Sequence, residues 1–206
     1  MLGSLRNRTG NNVGGPLNSR VAFFREFLKQ PRQIGSVIPS SRYLERRIID
    51  AAAVASAKTI VELGSGTGGI TRAILRAMPA RAVLLSIEIN PRFHRIVRHI
   101  HDDRLIPHLG SAGDLPEILL HHGLSAPQVI ISGIPFSTIR NHQGVKVCEM
   151  VAQSLAPGGH FVAFAYQSSP RVVMLCRPFL GEEKTALELL NIPPARVYRW
   201  RKKAFR

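Results

Sequence analysis

The run Val61-Glu62-Leu63-Gly64-Ser65-Gly66-Thr67-Gly68-Gly69 joins a short apolar stretch, Lys58 to Leu63, to a helical pattern from Thr71 to Met78. Glycines at such a junction let the backbone turn tightly and approach a ligand where a Cβ would clash. A second carboxylate, Glu88, closes the next apolar stretch, roughly 20 residues on, the spacing at which such folds place a ribose-binding acid. A carboxylate there can accept hydrogen bonds from both hydroxyls of an adenosine ribose, with Ile89 and Asn90 beside it. Gly64, Gly66 and Gly69 also satisfy the G-x-G-x-x-G fingerprint of dinucleotide sites, so the glycines alone leave a nicotinamide-dependent oxidoreductase open. Glu62 weighs toward S-adenosylmethionine. A dinucleotide site more often carries an apolar or small residue there, and a carboxylate suits a cationic methionine tail but repels a pyrophosphate.

Two more segments fall where chemistry is expected. In an open α/β sheet, ligands bind beyond the carboxyl ends of the strands. Gly110, Ser111 and Ala112 follow the third apolar stretch, and Ser132-Gly133-Ile134-Pro135-Phe136 follows the fourth. The first group is expected near the adenine. Ser132, Gly133 and Ile134 are expected against the cofactor, with Pro135 at the reacting centre. Gly64, Ser65, Gly66 and Gly68 form the loop beneath it. Tyr166, at the end of the fifth strand, is the first candidate to orient an acceptor amine, and Asn191 the second. Ser40 and Ser41, with Tyr43, are expected to cover the cofactor, and His142 is a candidate base. No set of metal ligands is recognised, and no metal is expected.

The elements that must hold these residues alternate. Strands are expected at 58–63, 81–87, 105–109, 128–132, 161–166, 185–190 and 195–200. Helices are expected at about 40–55, 71–78, 115–121 and 144–155, with one more opening at Pro91, a residue suited to a first helical turn. Residues 171–180 fit either class. Alternation of this kind implies a parallel sheet covered on both faces, and the last two strands suggest an antiparallel finish. The fold expected is therefore α/β, Rossmann-like, with a mostly parallel seven-stranded sheet, an antiparallel C-terminal strand and helices on both faces. Residues 1–18 read as a disordered basic arm, 19–55 as an amphipathic helix followed by a cofactor lid, and 56–206 as the main domain.

The chain has 206 residues, enough for one domain. Lys and Arg number 28 against 13 Asp and Glu, a formal charge of +15, which attracts polyanions, whether nucleic acid or an anionic membrane. From Ser19 to Gln30, Phe23, Phe24 and Phe27 share an arc with Val21 and Leu28, opposite Arg25 and Lys29. That pattern suits a helix lying in a membrane interface. No apolar run reaches the roughly 18 residues needed to span a bilayer. The two cysteines, Cys148 and Cys176, are not in a C-x-x-C pair; this fits a reducing compartment and argues against a disulfide scaffold. A cytoplasmic protein held at the inner face of the membrane is the expected location.

Taken together, the segments resemble the small soluble bacterial phospholipid N-methyltransferases, a family of class I S-adenosylmethionine-dependent methyltransferases. The resemblance runs from about Phe23 to Arg201. It includes Phe27-Leu28-Lys29-Gln30-Pro31, Ile34-Gly35-Ser36-Val37-Ile38-Pro39-Ser40-Ser41, the glycine loop, Ser86-Ile87-Glu88 and the 110–112 and 132–136 segments. It ends with Leu155-Ala156-Pro157-Gly158-Gly159 and Asn191-Ile192-Pro193-Pro194-Ala195. It implies methylation of the amino headgroup of phosphatidylethanolamine and its mono- and dimethyl products toward phosphatidylcholine. It also implies an anionic membrane as partner, with no nucleic acid. The chain is more loosely similar to rRNA adenine dimethyltransferases, whose fourth motif usually begins with Asn, where this chain has Gly133. A methyltransferase acting on another amine-bearing lipid, such as an ornithine-containing one, is a further alternative. The sequence does not fix the oligomeric state.

Overall fold

The computed structural model describes residues 41–166, 171–191 and 194–203. The expected arm, the Ser19–Gln30 helix with Phe23, Phe24 and Phe27, and Ser40 lie outside the described residues. Seven strands form one sheet: β1 (Thr59–Leu63), β2 (Val83–Glu88), β3 (Leu105–Leu109), β4 (Val129–Ser132), β5 (His160–Tyr166), β6 (Lys184–Glu188) and β7 (Ala195–Arg201), in the order β3-β2-β1-β4-β5-β7-β6. The first five pair in parallel, while β7 runs antiparallel to both β5 and β6. The α/β architecture, the strand number and the antiparallel finish all match the reading of the sequence. The chain order reverses between β1 and β4, so the loops after β1, β2 and β4 meet at the switch point where such sheets bind ligands.

Six α-helices lie among the described residues: α1 (Arg42–Ala52), α2 (Gly69–Ala77), α3 (Pro91–Arg98), α4 (Leu115–His121), α5 (Asn141–Ser154) and α6 (Arg171–Leu180). Side chains alternate across a strand, and here the alternation sorts the apolar residues into two cores. Ile60, Leu84, Ile131, Val162 and Val197 pack with Leu44, Ile48, Ile70 and Ile74 of α1 and α2. Val61, Leu85, Ile130, Phe161 and Trp200 pack with Leu115, Val147, Val151 and Leu175 of α4 to α6. The central strands are buried on both faces, as parallel strands usually are.

The differences from the expected elements have local causes. The helix expected at 40–55 begins after Ser41, whose Oγ accepts the Leu44 N–H at 3.3 Å, and ends where Ala53 turns into the left-handed region at φ 55°. Residues 171–180 are helical, and Pro178 sits in the last turn, where it removes only one bond of the ladder. Strand β6 stops at Glu188. Leu189 and Leu190 stand exposed beyond it, so the apolar run overstates the strand.

Cys148 of α5 and Cys176 of α6 are joined as a disulfide, with their Cα atoms 5.1 Å apart. The expectation from their spacing, which argued against a disulfide, is thus corrected. Their sequence separation of 28 gives no motif, and only the packing of α5 on α6 brings them together. No helix among the described residues is long and apolar enough to cross a membrane.

Candidate active site

Backbone hydrogen bonds tie the carboxyl ends of neighbouring strands together around the glycine loop. The Gly64 N–H donates to the Ile87 carbonyl at 2.8 Å, and the Gly110 N–H donates to the Glu88 carbonyl at 3.0 Å. The Gly133 N–H donates to the Leu63 carbonyl at 2.8 Å. The ends of β1 to β4 are thereby fixed to one another, which brings Gly64, Glu88, Gly110 and Gly133 to one rim. Ile134 joins them. Its side chain lies against Gly64, where a Cβ would come within 3.2 Å of Ile134 Cγ1.

Glu88 is 2% exposed and takes both of its oxygens to backbone donors. The Gly66 N–H donates to Oε2 at 2.9 Å and the Asn90 N–H to Oε1 at 2.8 Å. Burial pushes its carboxyl above the usual range, while these backbone N–H groups and that of Ile89 pull the other way. Asn90 also caps α3, its Oδ1 accepting the Arg92 N–H at 2.8 Å, while Ile89 is exposed beside it. Ser111 Oγ accepts the Gly113 N–H at 3.2 Å, and Ala112 begins the short turn that follows. Ser132 is fully buried, and its Oγ accepts the Ile134 N–H at 3.3 Å, which folds the start of the β4 loop back on the strand.

Glu62 is more deeply set than a loop carboxylate. It is 1% exposed and lies beneath α2, where Thr71 Oγ1 donates to Oε2 at 2.7 Å and Ser86 Oγ donates at 2.9 Å. Burial is the main cause that raises its pKa to about 7; the two hydroxyls oppose it, and the nearby Glu88 adds to it. The folded protein therefore holds a proton that the unfolded chain releases near the ordinary value of 4.5. Stability from this group is complete below that value and is lost as pH rises through about 7. The loss is on the order of 3 kcal/mol. Glu62→Gln, which mimics the protonated acid, is expected to flatten this slope, so that its melting temperature at pH 8 equals or exceeds that of the parent protein. A thermal melt series from pH 4.5 to pH 8 measures it.

The chain's own residues fit S-adenosylmethionine. Ser65 Oγ is buried without a hydrogen-bond partner. A Cβ built on Gly66, at φ 54°, would meet nothing within 4 Å, so the loop borders open space of the kind a ligand fills. Glu88, whose Oε2 accepts the Gly66 N–H, borders that space.

The remaining expected residues lie on the β4–α5 loop, β5, α5 and the β6–β7 turn. Pro135 stands in the β4–α5 loop, its carbonyl accepting the Thr138 N–H at 3.0 Å. Tyr166 ends β5, paired with Ala195 of β7. His142 is exposed in the first turn of α5. Asn191 is buried, and its Oδ1 accepts the Ser41 N–H at 3.0 Å. It thus ties the expected lid to the β6–β7 turn, and Arg47 reinforces the tie through Glu188 at 2.7 Å. Asn191→Ala is expected to cost about 1–2 kcal/mol of stability, because it leaves the Ser41 N–H unpaired; a denaturant midpoint reads it.

Arg171 has a role that no motif in the sequence marks. In the structure its guanidinium donates to the Ser137 carbonyl at 3.0 Å, and to the Ile139 carbonyl and Asn141 Oδ1 at 2.7 Å each. It clamps the β4–α5 loop. No motif marks it, since its targets are backbone oxygens about 30 residues away.

This sheet, with its glycine loop and its acid at the end of β2, is that of a class I S-adenosylmethionine-dependent methyltransferase, and S-adenosylmethionine is the cofactor. Solved structures of similar fold include the N-methyltransferase NodS from Bradyrhizobium japonicum in complex with S-adenosylhomocysteine (TM-score 0.65, 14% identity, covering 90% of this chain and 98% of that one). An O-methyltransferase from Bacillus cereus in complex with the same product gives a TM-score of 0.64 at 12% identity, covering 93% of each chain. No protein-family model matches the chain. The ornithine lipid N-methyltransferase of Singulisphaera acidiphila is 30% identical over 183 residues, 85% of this chain and 92% of the relative, and the chain belongs to its family. A mitochondrial dimethyladenosine transferase 1 of Caenorhabditis elegans is 32% identical over 134 residues, but these make up only 55% of this chain and 36% of that protein.

Proposed function

We propose that the chain N-methylates the amine of a membrane-lipid headgroup, with phosphatidylethanolamine and its mono- and dimethyl products as substrates. The supporting observation is the likeness to a lipid N-methyltransferase over 92% of that relative's length. The same likeness favours an ornithine-containing lipid as a second reading. An adenine acceptor is disfavoured by Gly133, which has no side chain to hold an exocyclic amine and, as the backbone lies, no room for one.

Bound S-adenosylmethionine supplies an electrophilic methyl group on a sulfonium, so the protein's task is to align an amine with it and exclude water. Glu88 takes the ribose hydroxyls, with Asn90 beside it. The loop from Gly64 to Gly68 and the Ser65 hydroxyl hold the methionine portion, and Gly110, Ser111 and Ala112 hold the adenine. Ser132, Gly133 and Ile134 form the wall, and Pro135 borders the acceptor. The acceptor amine must arrive neutral, and desolvation between the β4 loop and the lid favours loss of its proton. Tyr166 orients the amine by a hydrogen bond. Tyr166→Phe is expected to lower kcat about 10-fold or more, the equivalent of one such bond lost in the transition state.

The test uses methyl-labelled S-adenosylmethionine with three acceptors in separate tubes: vesicles of phosphatidylethanolamine plus an anionic lipid, vesicles containing ornithine lipid, and deproteinised ribosomal RNA. Label in phosphatidylethanolamine products upholds the proposal. Label in ornithine lipid alone moves it to the second reading, and label in RNA alone overturns both.

A further inference from the structure

Arg72, Arg92, Arg95, Ile96 and His99 line one groove between α2 and α3. All five are exposed, and so is Arg98 on the next turn. Elsewhere Arg46, Arg47, Arg76, Arg104 and Arg177 each reach a carboxylate. Arg72, Arg92, Arg95 and Arg98 form no such ion pair among the described residues. Helix α3 itself carries no acid, and the nearby Glu88 is buried and bound to backbone N–H groups. Arg72 donates only to carbonyls of the glycine loop, Gly68 at 3.1 Å and Thr67 at 3.4 Å.

We propose that this arginine groove docks the protein on an anionic lipid bilayer, holding the ribose side of the cofactor rim toward the surface. The choice of a bilayer over a nucleic acid rests on the proposed lipid methylation and on one further feature. Ile96, 41% exposed, stands among the arginines, and Ile89, 38% exposed, leads into α3. Exposed aliphatic side chains between cations suit a surface that offers acyl chains beneath phosphates. They are of little use against a sugar-phosphate backbone. Because α3 begins just after Glu88 and Asn90, lipid phosphates held at its start sit beside the proposed ribose site.

The experiment uses the full chain and vesicles of phosphatidylcholine with or without phosphatidylglycerol, separated by flotation. Arg92→Ala/Arg95→Ala is compared with Lys58→Ala/Arg81→Ala, which removes the same charge at the opposite ends of β1 and β2. The groove variant is expected to lose about 30-fold in partition to anionic vesicles, from two arginines near the surface. The control variant is expected to change little. Both should keep the parent melting temperature and the parent affinity for S-adenosylhomocysteine in solution. Equal losses in the two variants would reduce the effect to net charge and overturn the proposal. So would unchanged partition of the groove variant, or a loss confined to retention of ribosomal RNA. Methyl transfer to lipid in neutral detergent micelles is scored in parallel. Absence of label there in the parent protein removes the lipid-methylation reading, while the partition comparison still decides the docking face.

Discussion

Replacing Glu88 by alanine is expected to weaken S-adenosylhomocysteine binding by roughly 100-fold or more, since hydrogen bonds to a charged group contribute about 1.5–3 kcal/mol each. The expectation rests on what the carboxylate holds. It sits at the end of β2, 2% exposed, with Gly66 on one oxygen and Asn90 on the other. Removing it takes away the proposed acceptor for a ribose and also releases the glycine loop from the second strand. Glu88→Gln separates the two effects. It keeps one acceptor oxygen and the size of the side chain, so the loop stays closer to its place while only part of the ribose contact survives. Calorimetry should therefore rank the parent protein first, Gln second and Ala last. Equal affinity in all three would remove Glu88 from the cofactor site. Burial raises the carboxyl's pKa, so cofactor affinity should also fall as the medium is acidified into the group's range, where the neutral acid can no longer accept from both hydroxyls.

Gly133→Asn, which installs the residue usual at the start of the fourth motif in adenine methyltransferases, is expected to abolish the proposed lipid methylation without creating RNA methylation. The reason is the backbone rather than the chemistry of asparagine. A Cβ on Gly133 would lie 2.6 Å from the Gly64 carbonyl oxygen, which is main chain at the start of the glycine loop. One of the two loops must shift, at about 1–3 kcal/mol for overpacking of this kind. The shift falls in the proposed meeting place of cofactor and acceptor, and a misplacement of about 1 Å costs on the order of 100-fold in rate. A lower melting temperature together with loss of turnover is the expected pair of results. Transfer of label to ribosomal RNA by the variant would show instead that this position alone selects the acceptor and that the loops tolerate a side chain between them.

The sheet was legible in the sequence because its strands carry their own signal. Parallel central strands are buried on both faces and read as short apolar runs, and glycines and prolines punctuate them. The rim residues were legible for a related reason: Gly64, Glu88, Ser111 and Gly133 each follow such a run closely. What spacing did not reveal depends on pairing across elements. Ser86 supports Glu62 because β1 and β2 pair with those two residues in register, and Thr71 reaches it from the first turn of α2. Arg171 reaches carbonyls, which have no sequence identity. The Cys148–Cys176 link depends on how two helices pack. Asn191 lies between these cases, since the turn around it stands out as a motif but its partner, the Ser41 N–H, is a backbone group.

The bond from Ser41 to Asn191 spans 150 positions, and the ion pair from Arg47 to Glu188 spans 141. A ribosome makes the chain from the amino end, so the segment expected to cover the cofactor exists long before the hairpin that anchors it. The glycine loop, Glu88 and the parallel strands can assemble from earlier-made sequence. The anchor can form only once β6 and the turn after it have emerged. Contacts of such long range close slowly. Until the last two strands are made, the cover has nothing to fasten to, and a ligand that binds only the assembled rim would favour whatever part of the sheet has formed by then.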